Sequence, residues 1–152
     1  MFQQIFVMWD GSELAERAFG IATDMATVYD ADVTAVCVVE RPHPEHRSFP
    51  LASRHEAHPR AGHALASANR AQALFAEKHV RTAPEAGHCQ LEVVYGHDVV
   101  SDLLNLAHEH AADLIVVGHH CSPNSQHLHL LPHGLTERLM LSAEIPLLVV
   151  GG

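Results

Sequence analysis

Five histidines and one cysteine crowd a single stretch of this sequence: His119, His120, Cys121, His127, His129 and His133, bracketed by Gly118 and Gly134. Neutral imidazole and thiolate are preferred ligands of zinc, nickel and copper, so these six residues form a candidate metal set. Their order, His119-His120-Cys121, then His127-x-His129, then His133, matches no standard zinc-finger spacing. Imidazoles also charge near neutral pH, so a proton-responsive loop is a second reading, and surface drift without a role is a third. The position of the stretch adds a fourth. It follows Ala112 to Val117, which reads as a buried strand, and precedes Thr136 to Ala143, which reads as a short amphipathic helix. Free backbone N–H groups and the helix dipole make such a loop a place for phosphate.

The elements that must hold this loop follow from apolar patterning. Gln4 to Trp9 reads as a strand that ends at Asp10-Gly11-Ser12-Glu13, with Gly11 for the turn and Ser12 as N-cap of a helix over residues 13 to 28. Leu14, Ala18, Ile21, Ala22 and Met25 recur at helical spacing and predict its inner face. Val33 to Val39 is a second, continuously apolar strand, the pattern of burial on both faces in a parallel sheet. Glu40 to Gly62, rich in Pro, His and Arg, reads as a long loop. A helix over Ala64 to Arg81 follows, with Leu65, Ala68, Ala71, Gln72 and Phe75 spaced along it. Gln90 to Tyr95 is a third strand. Val99 to His110 is a helix with Val99, Leu103, Leu106 and Ala107 inward, Leu114 to Val117 a fourth strand, and Pro146 to Val150 a fifth. This alternation implies a doubly wound parallel α/β sheet in one domain over residues 1–152.

Composition narrows the function. With 47% hydrophobic and 18% charged residues in 152, the chain is ordinary for a globular domain, and its apolar runs are too short to cross a bilayer. The N-terminus lacks the pattern of a signal peptide, and three cysteines without CxxC spacing point to reduced thiols in a cytoplasm. A formal charge of -9 argues against a nucleic-acid partner. Full protonation of the 15 histidines would carry that charge to +6.

Several motifs, in order and at matching spacing, resemble the universal stress protein family. They are Asp10-Gly11-Ser12-Glu13 with Glu16-Arg17-Ala18; Val94-Tyr95-Gly96; Ala112-Asp113-Leu114-Ile115-Val116-Val117-Gly118; Thr136-Glu137-Arg138-Leu139; and Ile145 to Val150. The resemblance implies a five-stranded parallel sheet of order 3-2-1-4-5 with helices on both faces, and a homodimer through Pro146 to Val150. It also implies a site for ATP or another adenine nucleotide. Asp10 would recognise adenine, with Gly11 at the turn, and Val39 and Val117 would pack on the adenine or ribose. The family's phosphate signature, Gly-x2-Gly-x9-Gly-(Ser/Thr), meets Gly118 at its first position. The second falls on Cys121, the third on His133 and the hydroxyl position on Gly134, with the spacing two residues longer. Side chains at Cys121 and His133 remove the close backbone approach that glycine allows. Two compensations are open: His119, His120 or His133, when protonated, can donate to phosphate, and a shifted loop register would offer Gly134 as the close-approach residue.

In that strand order the loops after strands 2, 3 and 4 share one edge of the sheet with Asp10, which gathers eleven of the fifteen histidines there. The leading expectation is a cytoplasmic stress-response binding or sensing protein with an altered adenine-nucleotide site. The alternative is a His/Cys-rich metal-binding or pH-responsive module on the same fold, holding zinc or another transition metal. An enzyme with slow ATP hydrolysis ranks last, since no general base or metal–phosphate ligand set is visible. Trp9 is expected under a neighbouring helix, Cys37 in the core, and Glu137 with Arg138 as an exposed helix pair.

Overall fold

The computed structural model describes residues 1–40, 60–79, 89–96, 98–119 and 134–152. β1 (Gln4–Met8) leads into α1 (Glu13–Tyr29), then β2 (Asp32–Glu40) and α2 (Arg60–His79). β3 (Cys89–Gly96), α3 (Val99–Glu109), β4 (Leu114–His119), α4 (Leu135–Ser142) and β5 (Leu147–Gly151) complete the order. The strands form one parallel sheet of order β3-β2-β1-β4-β5.

β1 is central because both its faces are apolar. Ile5, Phe6 and Val7 are all fully buried. Alternation sends Ile5 and Val7 into a core beneath α1 and α2, while Phe6 joins a second core beneath α3 and α4. Parallel strands buried on two faces need such a double cover. The register Ile5↔Val33 and Ile5↔Leu114 sets β2 and β4 on either side. Asp113 fixes the start of β1: its Oδ2 accepts from Gln3 N at 2.6 Å and Gln4 N at 3.0 Å.

Helix ends follow local chemistry. Ser12 Oγ accepts from Ala15 N at 3.1 Å, which caps α1, and Glu13 and Glu16 in the first turn suit the dipole. Asp30, at φ 55°, closes α1 with its N–H on the Ala26 carbonyl. The inner face of α1 differs from the spacing-based expectation. Leu14, Ala15, Ala18, Phe19, Ala22 and Ala26 are buried, whereas Ile21 is exposed and Met25 half-buried. The alanine stripe lets α1 lie close to the sheet, and Ile21 falls at its border. In α3, Val100 takes the inward place expected of Val99. In α2, Ala71 and Phe75 are buried and Gln72 is exposed, and the helix begins at Arg60, within the stretch expected to be loop.

Candidate functional site

The chain leaves β1 toward β2 and leaves β4 toward β5, so the sheet switches direction between β1 and β4. A crevice opens at the carboxyl ends of the strands at such a point. Here it is a cleft of about 70 Å³. Met8 and Asp10 supply its β1 side, and Val117 and Gly118 its β4 side. Ser12, Leu14 and Ala15 from the first turn of α1 and Leu135 from α4 close it. The cleft is smaller than ordinary small-molecule pockets, which run to about 300–1,000 Å³.

Asp10 is exposed, and its Oδ1 accepts from Ser12 N at 2.9 Å, a short turn that fixes the carboxylate. Gly11 stands at φ +82°, a backbone that favours glycine, although space for a side chain is present there. The carboxylate reaches β2 electrostatically: burial pushes the half-buried Cys37 thiol up, and Asp10 raises it further. Cys89, also half-buried, is pushed up to about 11 by burial. Both cysteines are partners of the α1–α2 core, as expected for Cys37.

Gly118 has a packing reason for lacking a side chain. A Cβ there would fall 2.7 Å from Leu14 Cγ and 3.4 Å from the Leu14 carbonyl oxygen. The glycine therefore lets the first turn of α1 close onto the end of β4.

The sequence model of the universal stress protein family matches residues 1–151. The chain belongs to the universal stress protein family. UspA from Lactobacillus plantarum is 24% identical, over 98% of this chain and 97% of its own, with a TM-score of 0.75. A universal stress protein in complex with cAMP is 24% identical, covers 98% and 97%, and has a TM-score of 0.68. The universal stress protein from Archaeoglobus fulgidus in complex with dAMP is 16% identical, covers 99% and 98%, and has a TM-score of 0.62. At these identities the likeness is one of fold. No curated protein matches the chain at a significant level.

Measured against the expected universal stress protein site, Asp10, Val117 and Gly118 meet in one cleft, with Gly11 in the adjoining turn. Val39 is buried near the end of β2, paired with Tyr95, and does not line that cleft. His119 ends β4, half-buried and in register with Gly151. Gly134 is the exposed N-cap of α4, and its N–H donates to Glu137 Oε2 at 3.2 Å. His120, Cys121, His127, His129 and His133 lie outside the described residues, as do His43, His46, His55, His58, His97 and the side chain of His63. Among the described residues no group of three or more His, Cys, Asp or Glu could hold a metal ion.

Two arrangements were not foreseen. Arg138 bonds through Nη2 to Asp98 Oδ1, at the N-cap of α3, at 2.6 Å. Both side chains are partly exposed, so the pair contributes about 1 kcal/mol or less. The second lies under the turn. Trp9 is buried edge-on against Phe75 of α2, as expected, so it offers no stacking surface to a ligand. Its Nε1 donates to Glu16 Oε1 at 3.1 Å, which also accepts from Lys78 Nζ at 3.1 Å. His79 Nε2 approaches Glu16 Oε2 at 3.1 Å without the alignment of a hydrogen bond. A buried tryptophan announces that some partner for its N–H exists, but a lone sequence does not say which.

Proposed function

We propose that this universal stress protein is a stress-response binding and sensing module that takes an adenine nucleotide at the carboxyl ends of β1 and β4. The observation that carries the reading is the convergence of the Asp10 carboxylate, the apolar wall of Val117 and the bare backbone of Gly118 in one cleft at the sheet's switch point. A carboxylate beside apolar walls suits a flat heterocycle with amine donors. Complexes of similar folds with cAMP and dAMP support the same class of ligand. The changed phosphate signature, with Cys121, His133 and Gly134 at three of its positions, favours altered handling of the phosphates. The reading is of a binder rather than an enzyme: the cleft's Asp10 is tied to Ser12, and its other described lining groups offer no base.

Calorimetric titration with ATP, ADP, AMP and cAMP tests this. Binding of at least one, lost in Asp10→Ala, is the expected result; no binding of any at millimolar ligand sinks it. The reading also includes a homodimer through Pro146 to Val150. Among the described residues β5 pairs only with β4, which leaves its other edge open, and Val149 on it and Met140 and Leu141 on α4 are exposed. A cytoplasmic setting is proposed from the cysteine usage, and among the described residues no helix is long and apolar enough to cross a membrane. The metal-binding alternative gains no support from the described residues; metal analysis of untagged protein tests it directly.

A further inference from the structure

α4 has eight residues, too few to be stable alone, so its place is set by what it packs against. Its described anchors toward the core are Leu139, fully buried, Thr136, and Leu135, which is half-buried against the same core. These three place one side of the short helix against the core, and a tie from its flank sets how that side seats. Arg138 stands next to that leucine and reaches sideways to α3.

The acceptor it reaches is held from several directions. Asp98 N donates to Asp102 Oδ2 at 3.1 Å, and Ser101 Oγ donates to Asp98 Oδ2 at 2.7 Å. This leaves Oδ1 to the guanidinium. Gly96 belongs to the same knot, since a Cβ there would land 1.6 Å from Asp102 Oδ2. Below it, Val100 and Leu103 bury α3 in the core. Ser101 and the Arg138 guanidinium hold the Asp98 carboxyl below the usual carboxylate range, so it stays charged through the neutral region. The knot is thus a fixed point on α3. Arg138 is also three residues from Leu135, the α4 residue that lines the cleft, and residues so spaced share a helix surface.

We propose that Arg138 is a positioning residue of the cleft: through Asp98 it fixes the rotation of α4 and so the place of Leu135 against β1 and β4. Arg138 does not itself line the cleft. The effect on affinity rests on the nucleotide reading above; the effect on α4 does not.

The experiment has two arms on the full chain. In the first, amide hydrogen exchange without ligand compares wild type, Arg138→Ala and Arg138→Lys. Arg138→Ala speeds exchange in residues 135–142 and leaves the sheet unchanged, and Arg138→Lys restores much of the protection. Unchanged exchange in α4 overturns the proposal. In the second, calorimetry follows whichever of ATP, ADP, AMP or cAMP binds the wild type. Arg138→Ala and Asp98→Ala each weaken it by up to about fivefold, the most that a pair of this exposure can supply, and the double variant weakens it no further, because both remove one interaction. Loss in Arg138→Ala with Asp98→Ala unaffected, or losses that multiply, overturns the proposal by showing the guanidinium acting alone. If the wild type binds none of the four, the nucleotide reading falls while the exchange arm still decides whether the knot holds α4.

Discussion

A Cβ on residue 118 would press into Leu14, and this contact separates packing from binding at the level of one residue. Gly118→Ala forces α1 and β4 apart or drives Leu14 off its rotamer. The expected cost is about 1–3 kcal/mol in a denaturant titration, with or without nucleotide. A stability equal to wild type would overturn the packing role assigned to the glycine. Asp10 offers a second test through Cys37. Its carboxylate is the lesser of two causes that raise the thiol, after burial. Asp10→Asn, in a chain with Cys89 and Cys121 replaced by serine, therefore lowers the Cys37 pKa and speeds its alkylation at a fixed pH near 8. A slower or unchanged rate would contradict the electrostatic link. Asp10, Gly11 and Ser12 were readable in the sequence because turn and cap chemistry is local: a carboxylate, a positive φ and a hydroxyl N-cap within three residues. The Leu14–Gly118 and Arg138–Asp98 contacts were not, since each joins residues distant along the chain whose types fit many other partners.

At the scale of elements, β1 and β4 are tied at their amino ends by Asp113, whose carboxyl is held below its ordinary value by the Gln3 and Gln4 N–H groups. A lowered folded-state pKa means the stabilisation is present above the unfolded value and is lost as pH falls through the folded one. Asp113→Asn is expected to cost about 1 kcal/mol or less at pH 7, the side chain being partly exposed, and to shrink the stability lost on acidification. Thermal unfolding of both proteins from pH 7 down to pH 3 checks it; parallel curves would reject it. Element type and order were readable throughout, because continuous apolar strands and helical spacing persist over whole segments. The faces were read less well. Spacing alone admitted Ile21, while the structure favours the small residues Ala15, Ala18, Ala22 and Ala26 that bring α1 near the sheet.

For the whole molecule, the βα alternation implied a parallel sheet but not which strands adjoin. The order β3-β2-β1-β4-β5 came from the family resemblance and is the order observed. Most of the histidines fall outside the described residues, so their chemistry rests on the sequence. The proposed dimer is tested at the open edge. Val149→Lys places a charge on β5 and is expected to give a monomer in light scattering where the wild type gives a dimer. A monomeric wild type at micromolar concentration would remove the β5 interface from the reading.

Trp9 is the chain's only tryptophan, and it directly precedes Asp10. Its indole bonds to the Glu16 carboxylate, its ring rests on Phe75, and the His79 ring lies 6.4 Å away. The protein therefore carries an optical probe in the α1–α2 core, tied to the first turn of α1. Emission excited through this one indole reports on the first turn of α1, where Ser12, Leu14 and Ala15 line the site. Under the nucleotide reading, filling the cleft is expected to change the fluorescence of the unlabelled protein; a flat titration with ATP, ADP, AMP and cAMP would count against that link.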